Sequence, residues 1–257
     1  MCGVSMLLQY GSNLDKVRDF LVTMQELQVH RGPDGQGIIV NELWPNIVLG
    51  IGHQRLSIID LSDNAHQPMV SKCGRYVLSY NGEIYNYLEL ARELKGDPNL
   101  EISDGDTAVV LSALIRWNSK AFSRFNGMWA IIFYDRVEKK LLISRDRFGI
   151  KPLYIYNKNN ELVIASEVKS ILAVCKINNK LDDNAISRYL MQSLTNTQND
   201  TFFNDIKAVS PATFLEINIT KDSFQSIKSN TYWSHPFEDN EPIDASGVTE
   251  EEILECF

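Results

Sequence analysis

The sequence predicts an α+β fold in which two sheets pack face to face with helices on their outer sides. Three observations lead there. Apolar runs of strand length cluster near the start of the chain and again beyond Trp117, with helical spacings between and after them. The later runs come in pairs around short polar turns, the pattern of antiparallel hairpins. The chain has 257 residues, 44% hydrophobic and 23% charged, enough to bury the core of one large domain.

Val4 to Gln9 reads as a strand, broken by Gly11-Ser12-Asn13, and Asn13 is a suitable N-cap for the next segment. Leu14, Val17, Leu21, Met24 and Leu27 recur at helical spacing, which predicts an amphipathic helix from Leu14 to Val29. His30-Arg31-Gly32-Pro33-Asp34-Gly35 ends it with turn chemistry. Ile38 to Val40, Ile47 to Gln54 and Tyr76 to Tyr80 read as strands, the last entering Asn81-Gly82-Glu83. Tyr85 to Leu94 reads as a helix, and Ser103-Asp104-Gly105-Asp106 as the start of another that buries Val109, Val110, Ala113 and Leu114. Trp129–Tyr134 with Lys140–Ser144, and Leu153–Tyr156 with Leu162–Ala165, read as hairpins, followed by helices at Val168–Cys175 and Asn184–Gln192. After about residue 220 the composition turns polar and acidic, which reads as a linker, and Glu250 to Phe257 as the first turns of a further helix.

The bulk numbers exclude several functions. A formal net charge of −8 is the wrong sign for non-specific nucleic-acid binding. No run of about eighteen apolar residues marks a membrane span, and the N-terminus has no signal-peptide pattern. Cys2, Cys73, Cys175 and Cys256 are scattered, without the spacing of a disulfide framework or a zinc site. A cytoplasmic protein without a metal is the expectation.

The chemistry centres on Met1-Cys2-Gly3. If Met1 is removed, Cys2 carries both a thiol and a free α-amine, so nucleophile and base sit on one residue. The amine's ordinary pKa, about 7.7–8.0, suits it to take up and return a proton near neutrality. Asn81 and Gly82, at a strand end, can offer a side-chain amide and a backbone N–H to a developing oxyanion; the same dipeptide also makes ordinary turns. Arg55 ends an apolar run, where its guanidinium can hold a carboxylate by paired hydrogen bonds or stand as a surface cation. Asp106 suits the first turn of a helix by charge alone and could also hold an ammonium group. Together, a cation and an anion of this kind describe a free amino-acid ligand. His30 to Asp34 reads as a shaped loop rather than a catalytic one, and Arg145 to Tyr154 as strand–turn–strand, since it lacks phosphate-loop spacing.

The motifs fall in a recognisable series: Cys2-Gly3, His30-Arg-Gly-Pro-Asp34, His53-Gln-Arg-Leu-Ser-Ile-Ile-Asp60, Gln67-Pro68, Asn81-Gly-Glu-Ile-Tyr-Asn86, Gly105-Asp106-Thr107, Arg145-Asp146 with Gly149-Ile-Lys-Pro-Leu-Tyr154, and Ala165-Ser-Glu167. Over about residues 2–220 the chain resembles the N-terminal glutaminase domain of glutamine-hydrolysing asparagine synthetases, among the class II (Ntn-type) glutamine amidotransferases. The resemblance implies a four-layer αββα sandwich of two antiparallel sheets, of Ntn-hydrolase type. It implies Cys2 as nucleophile with its α-amine as base, and Asn81 and Gly82 as the oxyanion hole. Arg55 would bind the glutamine α-carboxylate, the backbone of Leu56, Ser57, Ile58 and Ile59 would line the pocket, Glu83 would lie beside the glutamine, and Asp106 would take its α-amino group. At this last site the family often has a second acid two residues on, where this chain has Ala108.

The family continues into a synthetase domain opened by a Ser-Gly-Gly-x-Asp-Ser-type loop, and Ser246-Gly247-Val248 is not one. The expected layout is therefore a glutaminase domain at 2–220, then a linker and the truncated start of a synthetase domain at 221–257. No cofactor is expected in this chain. ATP and Mg²⁺ are implied for the synthetase domain, which by resemblance would use the ammonia on aspartate. Another acceptor such as a sugar acid, or a non-catalytic domain, are the rival readings. The expected partners are L-glutamine and the synthetase domain, with a homodimer left open and no nucleic acid or membrane.

Overall fold

The computed structural model describes residues 1–56, 66–96, 105–175, 181–195, 199–222 and 227–235. Two six-stranded sheets form its centre, and every strand pairing in them is antiparallel. Strands β1 (Gly3–Tyr10), β2 (Gly35–Trp44), β3 (Ile47–Arg55), β4 (Met69–Val70), β5 (Tyr76–Ile84), β6 (Gly127–Asp135) and β7 (Lys140–Arg145) are followed by β8 (Tyr154–Lys158), β9 (Glu161–Ala165), β10 (Ile206–Ala208), β11 (Thr213–Asn218) and β12 (Lys228–Thr231). The first sheet has the order β10-β8-β9-β1-β3-β2 and the second β12-β11-β7-β6-β5-β4. Helices α1 (Leu14–Glu26), α2 (Tyr87–Glu93), α3 (Asp106–Trp117), α4 (Ala121–Arg124), α5 (Val168–Val174) and α6 (Asp183–Gln192) complete the fold.

Three apolar clusters define four layers. Between the sheets lie Val4, Met6, Leu8, Leu49, Ile51, Val77, Ala130, Ile132 and Ile143. Leu7, Val17, Leu21, Met24, Val48 and Ile171 join the first sheet to α1 and α5, whereas Leu78, Tyr80, Val110, Leu114, Phe122 and Trp129 join the second to α2, α3 and α4. The αββα sandwich is thus the observed architecture. Strand residues alternate strictly between faces: Val4 and Met6 point between the sheets while Leu7 points to the helices.

Local chemistry explains several elements. The Asn13 side chain accepts the Lys16 N–H at 2.9 Å, capping α1 as its position predicts. The β8–β9 hairpin turns through Asn159 and Asn160, both at positive φ (54° and 60°), where asparagine is favoured. Helix α1 ends at Glu26, earlier than its periodicity suggests, and a 3-10 turn at Val29–Arg31 swings the chain back toward the N-terminus. Strand β5 runs through Asn81 and Gly82 to Ile84, so that dipeptide is strand and not turn.

The end of the fold differs from the sequence reading. Beyond residue 220, β12 pairs with β11, and the Tyr232 ring stacks on Trp129 with centroids 5.7 Å apart. An exposed edge strand is polar for the same reason a linker is, namely contact with water, so composition alone does not tell the two apart. The predicted helix at 250–257 and Ser103-Asp104 lie outside the described residues.

Candidate active site

Strand parity assembles the site. Cys2 follows the alternation of Val4 and Met6 on β1, His53 and Arg55 that of Leu49 and Ile51 on β3, and Asn81 and Glu83 that of Val77 on β5. All five belong on the faces that look between the sheets. Register puts Cys2, His53 and Arg55 at one end of the first sheet, since Gly3 pairs with Gln54, and Gly35 with Arg55.

The Cys2 thiol is seated on the chain just past β3. Leu56 donates its N–H to Cys2 Sγ at 3.3 Å, and Sγ lies 3.7 Å from the Leu56 carbonyl. Burial pushes the thiol's pKa up, opposed by the Leu56 N–H and by the positive charges of the N-terminus, Lys151 and Arg55. Two further ties hold the start of β1: Ser166 Oγ accepts the Val4 N–H at 3.0 Å, and the Ser166 N–H reaches the Val4 carbonyl at 3.0 Å.

Arg31 is a site residue that sequence reasoning missed. Its Nε donates to the Cys2 carbonyl at 3.0 Å and its Nη1 to Glu167 at 3.2 Å. Glu167 also meets His30 at 2.7 Å and Lys169 at 3.1 Å. Although burial raises the Glu167 carboxyl, the bonds from Lys169, His30 and Arg31 hold it below the usual range. The shaped loop at His30–Asp34 packs so closely on β3 that a Cβ at Gly32 would lie 2.5 Å from the Arg55 backbone. Both motifs were conspicuous in the sequence; that they meet was not.

Asn81 is 2% exposed, and its Nδ2 has no hydrogen-bond partner among the described residues. A buried donor left in that state costs about 1–3 kcal/mol, so it marks a place where an acceptor belongs. Gly82 is fixed by crowding: a Cβ there would meet the Met128 carbonyl at 2.3 Å and the Tyr80 ring at 2.6 Å. Its backbone N–H direction follows from the ladder. Trp129, opposite Gly82, donates its N–H to Asp146 and accepts the Asp146 N–H at its carbonyl, both on the β7 side. Gly82 and Trp129 are therefore a non-hydrogen-bonded pair, and the Gly82 N–H points to the opposite edge of β5.

Asp106 approaches that same edge from α3. Its Oδ2 accepts the Tyr80 hydroxyl at 2.6 Å and the Ile84 N–H at 2.8 Å. Burial raises its pKa, and these two donors oppose the rise. The Tyr80 hydroxyl is pushed well above its ordinary value by burial, then by the charges of Asp106, Glu83 and Cys2, which share its surroundings. Asp106 is thus at least a tie between α3 and β5. Ser57, Ile58 and Ile59 lie outside the described residues.

Asp146 and Arg145 shape the neighbouring loop. Asp146 accepts N–H groups from Phe148, Ile150 and Lys151, and Arg145 donates to the carbonyls of Gly149, Lys151 and Val209. This is the strand–turn–strand role expected of them. Among the described residues, Cys2, Cys73 and Cys175 are free thiols and no cluster of His, Cys, Asp or Glu is arranged to hold a metal. No helix among them is long and apolar enough to cross a membrane.

Comparison with known proteins bears on the family and the fold. An asparagine synthetase of Methanocaldococcus jannaschii, named as glutamine-hydrolysing, is 33% identical over 260 residues, covering 95% of this chain and 48% of its own length. Asparagine synthetase B of Escherichia coli is 33% identical over 68% of this chain and 31% of its own. The chain thus spans about half or less of these relatives. Glutamine phosphoribosylpyrophosphate amidotransferase of Bacillus subtilis shares the fold, with a TM-score of 0.63 at 17% identity over 91% of this chain and 50% of that one. The glutamine amidotransferase domain model matches residues 1–233, almost the whole described fold, and with it the chain belongs to the glutamine amidotransferase domain family.

Proposed function

We propose that this domain hydrolyses L-glutamine to glutamate and ammonia through a thioester on Cys2, once Met1 has been removed. Met1 is 55% exposed, which leaves that peptide bond within reach of a processing enzyme. The freed α-amine takes the thiol proton as Sγ attacks the glutamine side-chain carbonyl. The oxyanion that forms is held by Asn81 Nδ2 and the Gly82 N–H. As the intermediate collapses the amine returns the proton to the leaving nitrogen, ammonia departs, and water then cleaves the thioester. Arg55 takes the α-carboxylate, Asp106 the α-ammonium, and Glu83 and the Leu56–Ile59 backbone flank the ligand.

The single observation that carries this reading is the partnerless Asn81 Nδ2, buried on the inter-sheet face that Cys2 and Arg55 share. The test measures glutamate release by the processed chain and by Cys2→Ala. Turnover in the parent and none in the variant supports the reading; turnover in Cys2→Ala overturns it, because no other group is assigned to attack. In the longer protein, we infer that the ammonia is passed to a domain that amidates aspartate, a reading the relatives' names as glutamine-hydrolysing asparagine synthetases support, with ATP, Mg²⁺ and a cytoplasmic setting as the family resemblance implies. Assay of the full-length protein with glutamine, aspartate, ATP and Mg²⁺ tests it, and the absence of asparagine would overturn it.

A further inference from the structure

Strand β4 stops pairing with β5 at Met69 and Leu78, yet the next outward-facing residue of β5 is not left open. The Gln67 side chain takes its place. Gln67 Oε1 accepts the Tyr80 N–H at 2.6 Å, and Nε2 donates to the Tyr80 carbonyl at 3.0 Å. One amide thus makes both bonds that a paired strand residue would make. Gln67 is only 8% exposed, so neither bond competes freely with water.

Along this edge the backbone groups of Leu78, Tyr80, Gly82 and Ile84 point the same way, because antiparallel pairing alternates. Leu78 faces Met69, Tyr80 is taken by Gln67, and the Ile84 N–H is taken by Asp106. The Gly82 N–H lies between these two clamps, with Asn81 joined directly to the clamped Tyr80. The other side of Gln67 rests on the first sheet. A Cβ at Gly37 would lie 2.1 Å from the Gln67 carbonyl oxygen, and Gly37 pairs with His53 two residues before Arg55. Gln67 is therefore wedged between the sheet that carries Cys2 and Arg55 and the strand that carries Asn81 and Gly82.

We propose that Gln67 is a positioning residue for glutamine hydrolysis, its side-chain amide substituting for a strand at the edge of β5 and setting the place of the Asn81 and Gly82 donors relative to Cys2. This rests on the assignment of Asn81 as an oxyanion donor. A donor displaced by about 1 Å can cost about 100-fold in rate, so a wedge that fixes this spacing acts on kcat and not on ligand binding.

The test compares Gln67→Ala, Asn81→Ala, the double variant and Gly37→Ala in the full processed chain, with thermal melting to establish folding. Gln67→Ala is expected to lower kcat by about tenfold or more with KM within about twofold. Alkylation of Cys2 by iodoacetamide should proceed at the parent rate, because that displacement forms no oxyanion. Asn81→Ala added to Gln67→Ala should cost less than it does in the parent. Gly37→Ala, which presses on the wedge from the first sheet, should lower kcat in the same way and serves as the probe if Gln67→Ala does not fold. Parent kcat in folded Gln67→Ala or Gly37→Ala, a loss confined to KM, slowed alkylation of Cys2, or additive losses in the double variant would each overturn the proposal. A parent kcat in Asn81→Ala alone would instead overturn the oxyanion assignment, and the wedge's role with it.

Discussion

Arg31 Nε donates to the carbonyl of Cys2 at 3.0 Å, while the same guanidinium reaches Glu167 at 3.2 Å. The proposed nucleophile is thus tethered by its main chain to a group that begins on the loop after α1 and ends beyond β9. A lysine cannot span both partners, because it lacks the planar fork. Arg31→Lys should therefore lower kcat by about tenfold and leave KM for glutamine nearly unchanged, as loss of nucleophile alignment does. Steady-state kinetics decide it; a parent kcat in Arg31→Lys would show that the tether is dispensable.

Arg55→Ala and Asn81→Ala should separate binding from chemistry. The ligand's carboxylate is charged before and during reaction, so losing Arg55 raises KM with little change in kcat. The oxyanion exists only near the transition state, and one lost donor of this kind costs about 10²–10³ in kcat. An Asn81→Ala enzyme with normal kcat and raised KM would contradict the division.

Tyr80→Phe removes the hydroxyl that donates to Asp106 Oδ2 at 2.6 Å. Burial already raises the Asp106 pKa, and this hydroxyl is the foremost of the groups that oppose the rise. Without it the carboxyl protonates at higher pH, and a neutral Asp106 no longer attracts an ammonium group. The acid limb of the kcat/KM profile for glutamine should shift to higher pH in Tyr80→Phe. An unmoved limb would mean that Asp106 does not meet the ligand's charge.

His53 should make the fold acid-sensitive. Ser79 Oγ donates to the Gly52 carbonyl, so it accepts from His53 Nδ1–H, 3.1 Å away. Burial, then the nearby Arg55 and His66, hold the ring's pKa down at about 3. The folded value is lowered, so the unfolded chain binds the extra proton below its ordinary value and stability falls as pH drops from about 6.5 toward 3. The loss from this group alone is about 2 kcal/mol at about pH 5. Urea unfolding between about pH 7.5 and about pH 5 should show a shallower pH dependence in His53→Gln. An identical slope would place the acid sensitivity elsewhere.

What the sequence disclosed, and what it hid, depends on distance along the chain. β1, α1 and the Asn13 cap rest on periodicity and on a bond three residues long, so they were legible. The Asn81-Gly82 pair was ambiguous because the same residues favour tight turns; its pairing with Ala130 and Trp129 of β6, a partner far along the chain, makes a strand of it. β10 has only three residues and β12 is fully exposed with no alternation to see, so neither had a legible pattern. Arg31 and Glu167 stand 136 positions apart, and no local pattern reports such a meeting. Individual groups of the site were readable as residue types; the tethers that orient them were not.

Tyr232 ties the segment after β12 to the strands behind the candidate site. Its ring lies on Trp129, the residue opposite Gly82 in the ladder, and its hydroxyl donates to the Arg145 carbonyl at 2.8 Å. Phe148, on the loop that Asp146 organises, meets Trp233 edge-on with centroids 5.4 Å apart. These rings lie next to β6, and β6 pairs with the strand on which Asn81 and Gly82 are proposed as oxyanion donors. The segment that carries Tyr232 and Trp233 is thus packed directly behind the strand pair that holds Gly82.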